Sequence, residues 1–320
     1  MLRKTLLRIF TGLVSAGIAC IIAAVVFFSS TSDPLVPNGV IQGFIKSYQP
    51  KELERVNLDL ESIKHNSFYD KNPVERPVYI EHPTYVASAG GPGASKTTIL
   101  EAFMENKSNF VYIDPDHSCL KYMYIYRQEL SNLAIKKALA QDQKNGYQAL
   151  LRDAYNKWRG ASNYISNTLL NEAFTKKYNI MHGTTSTAPT MEEFYKKLKK
   201  QGYRIVLVLC GSTDENRKNS LEFREKELKF YQSNFDDYVD KGKLFYQRFP
   251  IYFKYADEIH FFWTEEFRKG SEEVAILDRE TGFKVINQKS LDKFIAEYRG
   301  NSKGLPPFED LVKLVTLLQK

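Results

Sequence analysis

The sequence predicts an α/β fold: a parallel β-sheet with helices on both faces, preceded by an N-terminal transmembrane helix. Three observations carry this. From about residue 80 onward, short β-rich runs alternate with helical stretches, the pattern of a parallel sheet wrapped in crossover helices. The run "YRIVLVLCGS" at 203–212 is almost continuously apolar, as in a strand buried on both faces. No charged residue occurs from Ile9 to Phe28. As a helix that stretch rises about 30 Å, the thickness of a bilayer core.

The elements follow in order. Residues 1–30 form the expected membrane anchor, and "FFSSTSDP" is too poor a small-x-small site to favour a cleaved signal peptide. Residues 31–50 hold Pro and Gly near both ends and read as a linker. The expected folded domain is 51–320, with a core over about 80–265 and a hairpin and helices over 266–320. "PTYVASAGG" is a β-rich run ending in glycines, and "KTTILEAF" continues it as a helix with Ile99, Leu100 and Phe103 on one side. "SNFVYIDPD" is a second strand, and 119–175 is helical with a break at 143–146. "KYNIMHGTTSTAP" is a short strand running into a polar loop, and "MEEFYKKLKKQG" an amphipathic helix closed by Gly202. Residues 213–247 are helical and charged, "ADEIHFFW" is a strand, and "VAILDRETGFKVIN" a hairpin turning at "RETG". Two helices flank "GLPP" at the end.

A net charge of +7 over 320 residues suits a polyanionic partner such as a nucleotide or an anionic membrane face, and is too weak and dispersed to argue for nucleic acid. Cys20, Cys119 and Cys210 make no disulfide framework.

"GGPGASKTT" at 90–98 nearly matches G-x-x-x-x-G-K-[ST], with Ser95 where the second glycine belongs. Backbone N–H groups of such a loop wrap a phosphate at the start of the following helix. The candidate nucleotide-binding residues are therefore Gly90, Gly91, Pro92, Gly93, Ala94, Ser95, Lys96, Thr97 and Thr98. Lys96 would reach the β- and γ-phosphates of ATP or GTP, and Thr97 would hold Mg²⁺. Serine fits at 95 without strain if the backbone there is helical, and only a positive φ opposes it. The bland reading is a strand-to-helix turn with a solvated lysine. In "YIDPDHS", Asp114 and Asp116 stand at a strand end, where one carboxylate can take the proton of an attacking hydroxyl and the other can support Mg²⁺. Asp-Pro-Asp is also a common turn. Both loops, with "HGTTST" at 182–187, follow strands and should converge beyond the carboxyl ends of the sheet.

In that order, "GGPGASKTT", "IDPDHS", "GTTSTAP" before a helix and "GYRIVLVLC" after it resemble the zeta toxin family over roughly residues 80–265. The resemblance implies a P-loop kinase fold that phosphorylates UDP-N-acetylglucosamine on a sugar hydroxyl, using ATP or GTP with Mg²⁺, and an antitoxin-like protein partner. Asp116 matches the family's catalytic base, with His117 intruding before Ser118. "HGTTST" matches the segment that contacts the sugar nucleotide: Thr184 is kept, His182 replaces a glutamate and Thr185 a glycine. A further family glutamate has no clear counterpart near Asn163. Arg224 matches the first of two phosphate-closing arginines, and Arg248 or Lys243 stands for the second. The resemblance thus implies catalytic roles for Asp116, Lys96 and Arg224, and substrate contacts from Asp114, His182 and Thr184. The nucleotide half is better kept than the acceptor half, as in a kinase with a changed small-molecule acceptor. The competing reading is a catalytically inactive, membrane-tethered module that binds nucleotide or a partner, and an NTPase ranks below both. Arg3, Lys4 and Arg8 before the span put the N-terminus in the cytoplasm and the rest outside. A nucleotide-using domain needs the nucleotide-containing side, and that requirement is given the greater weight.

Overall fold

In the computed structural model, residues 33–69, 77–105, 109–139, 144–228 and 235–317 are described. Among them β1 (Thr84–Ala89), β2 (Phe110–Ile113), β3 (Asn179–His182), β4 (Arg204–Ser212), β5 (Glu258–Thr264), β6 (Glu272–Asp278) and β7 (Gly282–Val285) form one sheet, ordered β2-β3-β1-β4-β5-β6-β7. The first five strands run parallel, and β6 and β7 add an antiparallel edge. Their hairpin is closed by Asp278, whose Oδ1 accepts from the N–H groups of Glu280 and Thr281 at 2.7 and 2.9 Å. β4 lies between β1 and β5 and is buried along nearly its whole length, as its unbroken apolar run requires.

The helices among the described residues are α1 (Asn38–Gly43), α2 (Pro50–Phe68), α3 (Lys96–Met104), α4 (Tyr124–Leu139), α5 (Lys144–Thr175), α6 (Met191–Lys200), α7 (Asp214–Phe223), α8 (Phe235–Gln247), α9 (Phe249–Tyr255), α10 (Gln288–Asn301) and α11 (Phe308–Leu317). They cover the two sheet faces unequally. Tyr85, Ala87, Leu207, Leu209 and Phe261 point into one large core shared with α2, α4, α5, α6 and α8–α11. Val86, Val206, Val208 and Cys210 face the other way and meet Ile99, Leu100 and Met104 of α3. The strand order explains this. Only the β1-to-β2 connection runs leftward across the sheet, while β2-to-β3, β3-to-β4 and β4-to-β5 run rightward. Right-handed crossovers of opposite direction lie on opposite faces, so α3 stands alone.

One expectation changes, and another falls outside the described residues. The expected span at 9–28 lies outside the described residues, and no helix among the described ones is long and apolar enough to cross a membrane. The segment expected as a linker belongs in large part to the folded unit, which begins at Leu35. Leu35 and Ile41 are buried, and the Asn171 side chain both donates to Val36 O and accepts from Val36 N, each at 2.8 Å. A six-residue helix carries too few apolar positions to show a period, which is why composition alone suggested a linker. α2 then starts as its sequence dictates, with Pro50 in the first turn and a capping box between Gln49 and Glu52.

Candidate active site

A cavity of about 420 Å³ opens at the carboxyl ends of β1, β2 and β3. The three loops expected to converge all line it, together with α1, α5, the start of α6 and parts of α7 and α8.

The β1 loop is held tightly from behind. A Cβ on Gly93, which has φ +84°, would lie 2.4 Å from the Arg217 carbonyl oxygen. Arg217 of α7 is buried, and its Nη1 donates to Tyr238 O at 2.8 Å and to Pro92 O at 3.4 Å, while Nη2 pairs with Asp214. One guanidinium therefore ties the loop to α7 and α8. Pro92, Gly93, Ser95, Lys96 and Thr97 line the cavity; Gly90, Gly91 and Ala94 are buried behind it; Thr98 is exposed and outside its lining. Lys96 Nζ donates to Gly91 O at 2.8 Å across the loop. Burial pushes its pKa down to about 8, with Arg224 adding to the effect and Cys210 opposing it. Ser95 is not helical: its φ of 56° and ψ of 18° are left-handed, and its side chain makes no cap bond. A residue with a Cβ is disfavoured there by about 1–2 kcal/mol. The departure from glycine that the sequence left open is thus a strained one.

After β2, residues Pro115–Cys119 form a π turn. Asp114 builds it: its Oδ1 accepts from the N–H groups of Asp116 and His117, both at 2.7 Å. Burial raises the Asp114 carboxyl to about 6, against the lowering by those backbone N–H groups. Asp114 is thus the turn's anchor as well as part of the cavity lining. Asp116 stands on the turn, where its Oδ1 receives Arg159 Nε at 3.3 Å and the Tyr155 hydroxyl at 3.4 Å. Arg224 opens a second π turn after α7 and lies in the field of Asp116 and Asp114. Burial lowers its pKa, and the two carboxylates oppose that shift.

After β3, His182 Nδ1 hydrogen-bonds the Tyr85 hydroxyl at 2.7 Å, and burial pushes the ring's pKa down to about 4. It is neutral near pH 7 and satisfied by a side chain. Its Nε2 is the ring's remaining polar atom. Thr184 lines the cavity, with its Oγ1 accepting from Ser186 N at 3.1 Å. The loop is stitched to the end of β1 by Ser88 Oγ donating to Thr184 O and Ser186 Oγ donating to Ser88 O, both at 3.0 Å.

Neither residue proposed as the second arginine fills that place. Arg248 donates to Thr187 O at 3.4 Å, Lys243 is exposed, and both lie outside the cavity lining, which contains Arg159 and Lys241 instead. Sequence reasoning missed Arg159, Tyr155 and Arg217. A signal existed on α5: Tyr155, Arg159, Asn163, Ser166 and Leu170 repeat every three or four residues and line the cavity as one face. Asn163 stands near the place of the missing glutamate, and Arg159 Nη1 donates to its Oδ1 at 2.9 Å.

Residues 70–241, more than half of the chain, match the zeta toxin family. The chain belongs to the zeta toxin family. Solved structures agree on the fold. Similarity to the PezAT chromosomal toxin–antitoxin system of the human pathogen Streptococcus pneumoniae covers 86% of this chain and 100% of that one, with 15% identity and a TM-score of 0.53. The AvrRxo1-ORF1:-ORF2 complex aligns with 11% identity and a TM-score of 0.53 over 89% of this chain and 90% of that one. The same complex solved with ATP gives 11% identity and 0.52 over 85% and 79%. No curated protein sequence matches the chain. As a zeta toxin family member the chain has a P-loop kinase-type fold and, in general terms, a P-loop kinase-type function.

Proposed function

We propose that this chain is a kinase that transfers the γ-phosphoryl group of ATP or GTP to a hydroxyl of a small molecule. The observation that carries the proposal is the convergence, on one cavity, of the loop lysine Lys96, the arginine Arg224 and the carboxylate Asp116. Asp116 accepts the proton as the acceptor oxygen attacks the γ-phosphorus. The bond from that phosphorus to the β–γ bridging oxygen breaks, and the nucleoside diphosphate leaves with the electron pair. Lys96 and Arg224 offset the charge on the transferred group. Arg159 and Tyr155 both engage Oδ1 of Asp116, which fixes the carboxylate and leaves Oδ2 for the hydroxyl.

The residues present fit Mg²⁺. That ion keeps most of its waters and needs only one or two protein oxygens besides the phosphates, so the cavity-lining Thr97 hydroxyl suffices. When bound, Mg²⁺ would offset charge on the β- and γ-phosphate oxygens. Family membership and a structural neighbour solved with ATP support the nucleotide site. The family resemblance makes a UDP-sugar the reference acceptor, and the toxin–antitoxin neighbour supports an antitoxin-like protein partner. Anchoring through residues 9–28 belongs to the same proposal, and carbonate extraction of membranes tests it. The strained Ser95 favours the competing reading, an inactive nucleotide-binding module. Labelled ATP incubated with a small-molecule extract separates the two. Wild type should yield a phosphorylated product and Lys96→Ala should not. Equal labelling by the two proteins, or none by wild type, refutes the kinase.

A further inference from the structure

The cavity has two halves of different chemistry. Around the phosphate loop stand Lys96, Arg224 and Lys241. α8 reaches this side because the Arg217 guanidinium lies between Gly91 and Gly242. The other half, between α1 and α5, holds one cation among its described lining residues, Arg159. That cation is already engaged: its Nε pairs with Asp116, and its Nη1 donates to Ser162 Oγ at 3.0 Å and Asn163 Oδ1 at 2.9 Å.

Apart from the Asp114 and Asp116 carboxylates, the polar groups that remain in this half are neutral. α5 offers Asn163, Ser166 and Asn167, and the β3 loop offers Thr184. Asn163 accepts Arg159 on its Oδ1, which leaves its NH₂ as a donor. Asn167 donates its NH₂ to Asn163 O at 2.7 Å, which leaves its Oδ1 as an acceptor. His182 adds no positive charge, because burial keeps it neutral near pH 7. The opposite walls are apolar: Val40 of α1 with Val36 and Phe44 on either side of it, Leu170 from α5, and Met191 and Phe194 from α6. α1 comes this close because α5 carries Gly160, where a Cβ would lie 2.7 Å from Phe44 O.

We infer that the acceptor is an uncharged, hydroxyl-bearing molecule with an apolar face, held between α1 and α5, and not a diphosphate ester such as a sugar nucleotide. The inference rests on the kinase reading and deepens it. A pyrophosphate brought into this half would lose its water and find one guanidinium already shared with Asp116, and a buried charge left without a partner is strongly disfavoured. A neutral sugar or glycoside, by contrast, presents hydroxyls to amides and threonines and a C–H face to Phe44 and Phe194.

The test splits a small-molecule cell extract on an anion-exchange resin at neutral pH. The full chain is then given γ-labelled ATP and Mg²⁺ with either the unretained or the retained fraction, beside Lys96→Ala as the blank. Label above the blank in the unretained fraction alone supports the inference. Label in the retained fraction, alone or at comparable efficiency, overturns it while leaving the kinase standing. No label above the blank in either fraction overturns the kinase reading and the inference with it. A second measurement locates the acceptor. Phe44→Asp should raise KM for the neutral acceptor at least tenfold with ATP affinity unchanged. An unchanged KM would remove the acceptor from the α1 wall.

Discussion

Replacing Arg217 with methionine keeps most of the side chain's length and removes the guanidinium that ties the phosphate loop to α7 and α8. The cost can be worked from its bonds. The bond from Nη1 to Tyr238 O is short and buried at 2.8 Å, and a charged hydrogen bond of this kind contributes about 1.5–3 kcal/mol. The partner Asp214 is 52% exposed, so that ion pair adds less than about 1 kcal/mol. The bond to Pro92 O, at 3.4 Å, is long and adds little. The sum is about 3 kcal/mol of lost stability, since the Tyr238 carbonyl is also left without its buried donor. Because the same group supports the loop carbonyl and packs between Gly91 and Gly242, ATP affinity should fall about tenfold, or about 1.4 kcal/mol. Urea unfolding and calorimetric titration with Mg-ATP read the two effects. Asp214→Asn is the control and should cost under about 1 kcal/mol. Stability within about 0.5 kcal/mol of wild type, with unchanged ATP affinity, would refute the bracing role.

Ser95→Gly should gain about 0.5–1 kcal/mol by relieving the left-handed backbone, net of glycine's greater chain entropy, and a lowered melting temperature would contradict the assigned φ. Asp116→Asn should slow turnover about 10² to 10⁴-fold with ATP affinity intact; transfer at the wild-type rate would exclude it as the base. His260 lies on the thinly covered face, where its Nε2 and Nδ1 meet Glu258 and Glu273 at 2.7 and 2.5 Å. Burial lowers its pKa, but the two carboxylates outweigh burial and the net shift is upward from 6.5. A raised folded-state pKa gives stability that is full below 6.5 and lost as pH rises through the folded value. Wild type should therefore lose more stability than His260→Gln between slightly acidic and alkaline pH, and parallel pH profiles of urea midpoints would count against it.

The strands and their order of appearance were legible because parallel strands are buried on both faces and write themselves as apolar runs, as β4 does. The sites on loops were legible where backbone chemistry fixes residue type, as at Gly93, Lys96 and the Asp114 turn. Illegible were residues whose role depends on which helix lies opposite. Arg159 and Arg217 look like any charged residue of a solvated helix until β2 and the loop are set against them. Ser95 was recognisable as a departure, but its φ is a property of the folded loop. Arg248 failed for the converse reason: the family resemblance offered it as a second arginine, while its Nε donates to Thr187 O.

The wall that α1 gives to the cavity has a consequence for where the protein can be cut. Val36 is fastened to Asn171 through both of its backbone polar groups, and Leu35 and Ile41 are buried, so the stretch from Leu35 to Phe44 forms a cavity wall that precedes the rest of the fold in sequence. A fragment begun at residue 51, the boundary that composition suggests, would retain the strands, the phosphate loop and Asp116 while discarding that surface. Titrated with nucleotide it would behave as wild type. Titrated with acceptor it would report a weak, permissive enzyme, and Asn171→Ala in the intact chain should shift the same measurement in the same direction by loosening the fastening alone.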